Sequence, residues 1–142
     1  MSLAKHYSSW SKDPSTKIGA VAVSDNKLQL SSGWNGFPRG IEDDDRLKNR
    51  ETKYSLVVHA EMNVIYNAAR NGISLVGASL YVYGLPICSE CAKGVIQSGI
   101  KKVFIVKESI SKSEFWEKSW DLTRRMFEEA GVNYYFISEE EI

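Results

Sequence analysis

Two short motifs constrain this chain most, a His-x-Glu sequence and a Cys-x-x-Cys pair. His59 and Glu61 stand two positions apart, and Cys88 and Cys91 follow 29 and 32 positions after the histidine. One imidazole and two thiolates can bind Zn²⁺ and leave a fourth tetrahedral position for water, which is typical of a catalytic zinc site. A fold that satisfies this prediction must bring two segments that are distant in the sequence to one point.

Each motif also has a plainer interpretation. A Cys-x-x-Cys pair alone is often a redox motif or half of a structural zinc site, and His-x-Glu alone carries almost no information. His6 is the only other histidine, and it could complete a structural site, but there is no third cysteine for a closed Cys₃His shell. The two motifs together favour a catalytic zinc.

Composition narrows the class of protein. A chain of 142 residues predicts one domain, residues 1–142, with a real hydrophobic core. The 18 basic and 18 acidic residues balance, which argues against binding to duplex nucleic acid or to a membrane surface. No apolar run approaches the roughly 20 residues of a membrane span, and the N-terminus lacks the apolar core of a signal peptide. We therefore expect a cytoplasmic protein whose cysteines stay reduced.

Hydrophobic patterning predicts an α/β fold. Helical period or helix-end signals mark residues 2–11, 60–70, 88–97 and 114–130, the last bearing Phe115, Trp116, Leu122, Met126 and Phe127. Apolar runs predict strands at residues 18–23, 28–34, 79–84, 101–106 and 132–137. Residues 42–53 are charged and predict an exposed loop with a helical turn. The sum is a mixed five-stranded sheet with helices on both faces, parallel where a helix connects two strands.

The predicted positions of the motifs suit acid–base chemistry. If His59 and Cys88 each begin a helix, unpaired N–H groups and a partial positive charge point at the metal and favour thiolates. Zinc lowers the pKa of bound water towards about 7, and Glu61 is placed to carry the protons of that water. The backbone N–H of Ala60 is then available to donate a hydrogen bond to a carbonyl oxygen of a bound substrate.

Five segments carry a family resemblance. They are residues 11–21 (SKDPSTKIGAV), 33–40 (GWNGFPRG), 59–63 (HAEMN), 88–93 (CSECAK) and 97–101 (QSGIK). In this order they resemble the deoxycytidylate (dCMP) deaminase family of the zinc-dependent cytidine deaminase superfamily. The zinc motifs match the signature of zinc nucleobase deaminases in general, and the first two segments narrow the resemblance to the dCMP branch.

The resemblance implies a three-layer α/β/α cytidine-deaminase-like fold and hydrolysis of dCMP to dUMP with release of ammonia, which supplies thymidylate synthesis. It implies one zinc per subunit, held by His59, Cys88 and Cys91, with Glu61 as the proton shuttle and Asn35 against the nucleotide sugar. Arg39 and Lys17 are our candidates for contact with the substrate phosphate. The full set predicted to bind substrate is Asn35, Ala60, Ser15, Thr16, Lys17, Arg39 and Pro86.

The resemblance also implies regulation. Members of the family often form homohexamers that are activated by dCTP and inhibited by dTTP, and a triphosphate effector would bring Mg²⁺. The effector residues implied for this chain are Trp34, Gly36, Asn67 and Arg70. A guanidinium suits a triphosphate, although Arg70 has an equally simple interpretation as a solvated helix end. One departure concerns the pocket wall, because Ile87 separates Pro86 from Cys88.

Several alternatives stay open at this point. The same chemistry could act on dCTP as well as dCMP, or on a modified deoxycytidine nucleotide. A deaminase of free nucleosides fits the dCMP-type segments less well, and a tRNA adenosine deaminase should carry a basic surface. A non-catalytic zinc module has no need of Glu61. The compact chain would suit a phage or viral enzyme acting in the host cytoplasm.

Overall fold

The apolar runs form a mixed five-stranded sheet in the computed structural model, which describes residues 1–109 and 114–142, with the backbone alone for residues 114–116. The strands are β1 (Gly19–Val23), β2 (Gln29–Trp34), β3 (Ser79–Tyr83), β4 (Lys102–Val106) and β5 (Asn133–Ile137), in the spatial order β2-β1-β3-β4-β5. β1 pairs antiparallel with β2 and β3, whereas β3–β4 and β4–β5 are parallel. The carboxyl ends of β3, β4 and β5 therefore meet at one edge.

Helices cover both faces of this sheet. They are α1 (Ser2–Ser8), α2 (Arg50–Leu56), α3 (Ala60–Arg70), α4 (Ser89–Gln97) and α5 (Glu114–Ala130). α1 packs on β1 and β3, while α3 packs on β1 and β2 from the other face, beside α4, which packs on α5. The predicted mixed sheet with helices on both faces is confirmed.

The hydrophobic core lies between the sheet and helices α3 to α5. Alternate strand residues point into it and are fully buried: Ala20, Ala22, Leu80, Val82, Val103 and Ile105. The opposite face carries the stacked rings of Tyr81, Phe104 and Tyr135, whose centroids lie 4.5 and 5.0 Å apart and which stay partly exposed. Each large aliphatic side chain stabilises the fold by about 1.5–3 kcal/mol when fully buried. The sheet face that carries the buried residues therefore determines where α3 and α4 pack.

The long C-terminal helix differs in part from the sequence pattern. Phe127 is fully buried and Met126 packs against the core, as an amphipathic helix requires. Leu122 is nevertheless exposed, and the buried residue of the preceding turn is Trp120. The side chains of Phe115 and Trp116 lie outside the described residues. None of the described helices has the length and apolar character needed to cross a membrane.

Residues 42–53 are more ordered than the predicted loop. A 3-10 turn, Asp45–Lys48, leads into α2, which extends to Leu56. The side chain of Asn49 caps α2 by accepting a hydrogen bond from the N–H of Thr52 at 3.0 Å. No residue of α2 is buried, so the helix lacks the apolar periodicity by which a sequence reveals a helix.

Gly33 on β2 determines how closely α3 approaches the sheet. A Cβ atom at this position would lie 2.8 Å from the carbonyl oxygen of Ala60, the Cβ of Asn63 and the backbone nitrogen of Val64. The amide of Asn63 donates a 2.7 Å hydrogen bond to the carbonyl of Trp34, which holds the helix in place. The start of α3 is thus fixed by contact between two backbones.

We predict that Gly33→Ala lowers the free energy of unfolding by about 1–3 kcal/mol, the usual cost of overpacking. The added Cβ would meet backbone atoms of α3, and these can move away only if the whole helix shifts. Gly94→Ala on α4 is the matched control, since its added Cβ meets the flexible end of Met62, with Sδ at 2.7 Å. Urea unfolding of both variants checks this. Equal stabilities would contradict the importance of the α3–β2 approach.

Candidate metal centre and active site

The two predicted motifs meet between the starts of two helices. His59 is the residue that precedes α3, and Cys88 precedes α4, so both helix-start predictions are confirmed. Nδ1 of His59 lies 3.4 Å from Sγ of Cys88 and 3.3 Å from Sγ of Cys91. These three ligand atoms lie within 4.8 Å of one another and could hold a metal ion.

The protonation of this cluster suits a soft divalent cation. The hydrogen bond from Cys91, together with His59, lowers the pKa of Cys88 to about 4, and the same contact and burial raise the pKa of Cys91 above its ordinary value. The hydrogen bond with Cys88 raises the pKa of His59 to about 9. Zinc prefers this nitrogen and sulfur donor set and binds it with the thiols and the imidazole deprotonated.

Glu61 is a buried carboxyl group next to the cluster. Its side chain is 2% exposed, and burial raises its pKa to about 7. Oε2 has no hydrogen-bond partner among the described residues. A buried oxygen left unpaired costs free energy, so this atom is suited to receive a hydrogen bond from a group that the chain does not supply. A three-donor cluster beside a free carboxylate oxygen fits a metal with an open position.

Two cavities meet at His59. The larger, about 320 Å³, is here named the His59 cavity and is lined by Asp13, Ser15, Thr16, Ile18, Asn35, Arg50, Lys53, Tyr54, Val57, His59 and Leu85. The second, about 260 Å³, is the Cys88 cavity, lined by Tyr54, Val57, His59, Cys88, Ser89, Glu90 and Ser119. The predicted substrate residues Ser15, Thr16 and Asn35 are therefore brought to the metal-ligand cluster.

Asp13 holds the loop that forms one wall of the His59 cavity. Its Oδ1 accepts hydrogen bonds from the N–H and hydroxyl of Ser15 at 2.9 and 3.0 Å, and from the N–H of Thr16 at 3.1 Å. Asn35 joins the same network, donating to the carbonyl of Thr16 at 2.9 Å and accepting from the N–H of Ile18 at 2.8 Å. Asp13 is 1% exposed, so the wall is anchored from inside the protein.

Helix α2 forms the facing wall, where the sequence pattern predicted an exposed loop with a helical turn. Nζ of Lys53 lies 2.7 Å from Oδ2 of Asp13 and donates to Oγ of Ser15 at 2.9 Å. The guanidinium of Arg50 lies over the ring of Tyr54, 5.4 Å from its centroid. The signal that could have revealed this wall is Asn49, a favourable N-cap residue three positions before Thr52.

The other predicted substrate residues do not line the His59 cavity. Arg39 lies beside Asn67, whose side-chain oxygen accepts its hydrogen bond. Lys17 lines a cavity of about 360 Å³ that shares Ser15, Thr16 and Leu85 with the His59 cavity. Pro86 is buried, and Ala60 is fully buried as the first residue of α3. Ile87 is also fully buried, and its carbonyl accepts a hydrogen bond from Thr123 of α5, so this inserted residue anchors the cysteine loop in the core.

Three of the four predicted effector residues share one cavity. Its volume is about 140 Å³, and its lining is Gly33, Trp34, Gly36, Phe37, Arg39, Asp43, Asn63 and Asn67. We name it the Trp34 cavity. The indole of Trp34 stacks on Tyr7 and meets the edge of Trp10. Arg70 lies outside this lining, exposed at the end of α3.

Comparison with known proteins agrees with this site. The profile of the cytidine and deoxycytidylate deaminase zinc-binding region matches residues 1–107. An uncharacterized deaminase of the luxG 3′ region of Aliivibrio fischeri is 38% identical over 95% of this chain and 88% of its own. Human deoxycytidylate deaminase is 37% identical over 87% of this chain and 69% of its own. The structure of dCMP deaminase from cyanophage S-TIM5 in complex with dCMP and dUMP superposes with a TM-score of 0.74, at 26% identity over 96% and 92% of the two chains.

We predict that Asp13→Asn lowers the free energy of unfolding by about 3 kcal/mol at pH 7, because it breaks a buried ion pair. Burial alone would raise the pKa of Asp13, but hydrogen bonds from Lys53, Ser15 and Thr16 outweigh it and lower that pKa below its ordinary value of 3.8. The stabilisation is therefore present above pH 3.8 and is lost as the pH falls through the folded-state value.

Urea unfolding between pH 7 and pH 3 checks this prediction, and the gap between the wild-type and variant stabilities should narrow at the acid end. Asp121→Asn is the control, since Asp121 forms surface pairs with Arg124 and Arg125 and surface pairs contribute little. A gap that stays constant with pH would show that the Asp13 charge is unimportant.

Proposed function

The chain belongs to the cytidine and deoxycytidylate deaminase family, and we infer that it is an enzyme that hydrolyses dCMP to dUMP and ammonia. The observation that carries this function is the cluster of His59, Cys88 and Cys91 beside the buried Oε2 of Glu61, which has no hydrogen-bond partner in the described part of the chain. Relatives named deoxycytidylate deaminase and the cyanophage dCMP deaminase narrow the substrate from cytosine compounds in general to the deoxynucleotide.

We propose that Nδ1 of His59 and the two sulfur atoms hold Zn²⁺. The donor set supports this, since one nitrogen and two sulfurs already face one another at 3.3 and 3.4 Å. When bound, zinc acts as a Lewis acid that makes water a nucleophile near neutral pH. The starts of α3 and α4 add partial positive charge at the same point.

Glu61 is the proposed proton carrier. Its free Oε2 takes a proton from the attacking water as the water oxygen bonds to C4 of the cytosine ring. Glu61 gives that proton to ring nitrogen N3, then transfers the second water proton to the exocyclic amine. The C4–N bond breaks, ammonia leaves, and C4 keeps the oxygen as the carbonyl of uracil. Atoms and charge balance without any further reactant.

Backbone and loop groups hold the nucleotide. The N–H of Ala60 has no partner within α3 and is placed beside Glu61 to hold the ring carbonyl. Oδ1 of Asn35 uses one lone pair for the N–H of Ile18, and the second lone pair is available for a sugar hydroxyl. Ser15 and Thr16 line the same cavity. The position of these groups beside the metal-ligand cluster supports these proposed roles.

We further propose that the Trp34 cavity takes the nucleotide effectors. Trp34, Gly36 and Asn67 line it, and Arg39 supplies the cation that a triphosphate needs. The activation by dCTP, the inhibition by dTTP, the accompanying Mg²⁺, the homohexamer, and the phage or viral origin stay predictions that rest on the family resemblance.

We predict that Glu61→Gln lowers kcat on dCMP by about 10²–10⁴-fold, the range for loss of a general acid–base group, while the protein keeps its zinc. Ammonia release and metal analysis measure the two quantities. Glu129→Gln, which changes an exposed carboxylate on α5, should leave both unchanged. Full activity of Glu61→Gln would overturn the proposed mechanism.

We predict that Arg39→Gln weakens inhibition by dTTP about tenfold or more, as expected when a charge-assisted phosphate contact of about 1.5–3 kcal/mol is lost. The measurement is the dTTP concentration that halves ammonia release from dCMP. Arg70→Gln is the comparison, because Arg70 lies outside the Trp34 cavity. A loss of inhibition in Arg70→Gln alone would move the effector site to the end of α3.

A further inference from the structure

The His59 cavity has a cationic side, which is formed by two residues outside the sequence motifs. Apart from His59, the charged residues of its lining are Asp13, Arg50 and Lys53. The carboxylate of Asp13 is almost fully buried and already accepts hydrogen bonds from the Ser15–Thr16 loop. The two cations both belong to α2, so the charge that a ligand meets on this wall is positive.

Lys53 is held in a defined position. Its side chain is 13% exposed, and its ammonium group lies 2.7 Å from Oδ2 of Asp13 and 2.9 Å from Oγ of Ser15. An ammonium group has three donors, and these two contacts leave one for a ligand. Because Asp13 neutralises much of the Lys53 charge, Lys53 alone is a weak attractor for a dianion.

Arg50 supplies the charge that Lys53 lacks. Its guanidinium is exposed at the start of α2, lies over the Tyr54 ring, and donates through Nε to the Tyr54 hydroxyl at 3.2 Å. It has no carboxylate within 4 Å among the described residues. The two terminal nitrogens of a guanidinium match a phosphate in a bidentate arrangement.

Arg39 and Lys17, the cations that the sequence suggested for the phosphate, are less well placed. Arg39 lies in the Trp34 cavity and bonds to Asn67. Lys17 lines the neighbouring cavity together with Glu108 and Glu139, whose carboxylates disfavour an anion. Neither residue lines the His59 cavity.

We propose that Arg50 and Lys53 bind the 5′-phosphate of the substrate and thereby select nucleotides over free nucleosides. This inference rests on the proposed function and names a part of the same site. The nucleotide would span the cavity, with its base at the His59 cluster and its phosphate at α2. Asp13 acts as a positioning residue, since it orients Lys53 and the Ser15–Thr16 loop.

The test is a comparison of dUMP and deoxyuridine binding by calorimetry, together with the kinetics of ammonia release from dCMP, on the zinc-loaded chain. Arg50→Gln should raise the Kd of dUMP and the KM of dCMP by about 10–100-fold, the loss expected for a charged phosphate contact. The effect on kcat and on deoxyuridine binding should be much smaller, because the phosphate takes no part in the chemical step.

Lys48→Gln is the matched control, since Lys48 is an exposed cation two positions before Arg50 that pairs with Asp45 and does not line the His59 cavity. It should behave as wild type. Arg50→Lys, which keeps the charge but loses the bidentate contact, should lie between wild type and Arg50→Gln. Lys53→Gln is measured beside its urea unfolding curve, because it also leaves Asp13 unpaired.

Unchanged dUMP affinity in Arg50→Gln would overturn this inference. An equal loss of affinity for dUMP and for deoxyuridine would also overturn it. If dUMP affinity falls in Arg39→Gln or Lys17→Gln instead, the phosphate binds at the residues that the sequence suggested. If Arg50→Gln weakens dUMP binding but the wild-type chain releases no ammonia from dCMP, the proposed reaction is wrong and the proposed phosphate site is still supported.

Discussion

The structure depends on the convergence of two helix starts at one nitrogen and two sulfur atoms. His59 ends an extended segment before α3, and Cys88 ends the loop after β3 before α4. Both helices pack on the same face of the sheet, where Ala60, Val64, Cys91, Ala92 and Val95 join the core. Hydrophobic burial therefore fixes the two backbones, and the ligand side chains need little further ordering to bind a metal. Gly33 permits this arrangement because a side chain there would collide with the first turns of α3.

A second constraint links the loop wall and the helix wall of the His59 cavity to the fold. The buried Asp13 holds the Ser15–Thr16 loop and Lys53 of α2, so the two walls of the His59 cavity are joined through one carboxylate. A helix of seven residues with none buried is marginal in water by itself, whereas leaving one partner of a buried ion pair unpaired costs about 3–5 kcal/mol. The order of α2, and with it the position of Arg50, therefore depends on this contact rather than on local helix propensity.

The sequence predicted the parts whose chemistry or periodicity is local. The His-x-Glu and Cys-x-x-Cys spacings indicated the metal-ligand cluster, and the apolar runs indicated the five strands and the helices that begin at the motifs. It did not predict α2, because that helix buries no residue and so shows no apolar period. It also could not decide which cations line the His59 cavity. Arg39 and Lys17 stand in motif segments, but the folded chain puts them in other cavities, and Arg50 and Lys53 reach the site only through tertiary packing.

The most direct test of the account measures ammonia release from dCMP by one preparation in three states, as purified with zinc, after removal of the metal by a chelator, and after zinc is restored. We expect turnover with one zinc per chain, loss of turnover without it, and recovery when zinc returns. A chain that binds one zinc at His59, Cys88 and Cys91 and releases no ammonia would contradict the central claim. So would full turnover in the metal-free protein.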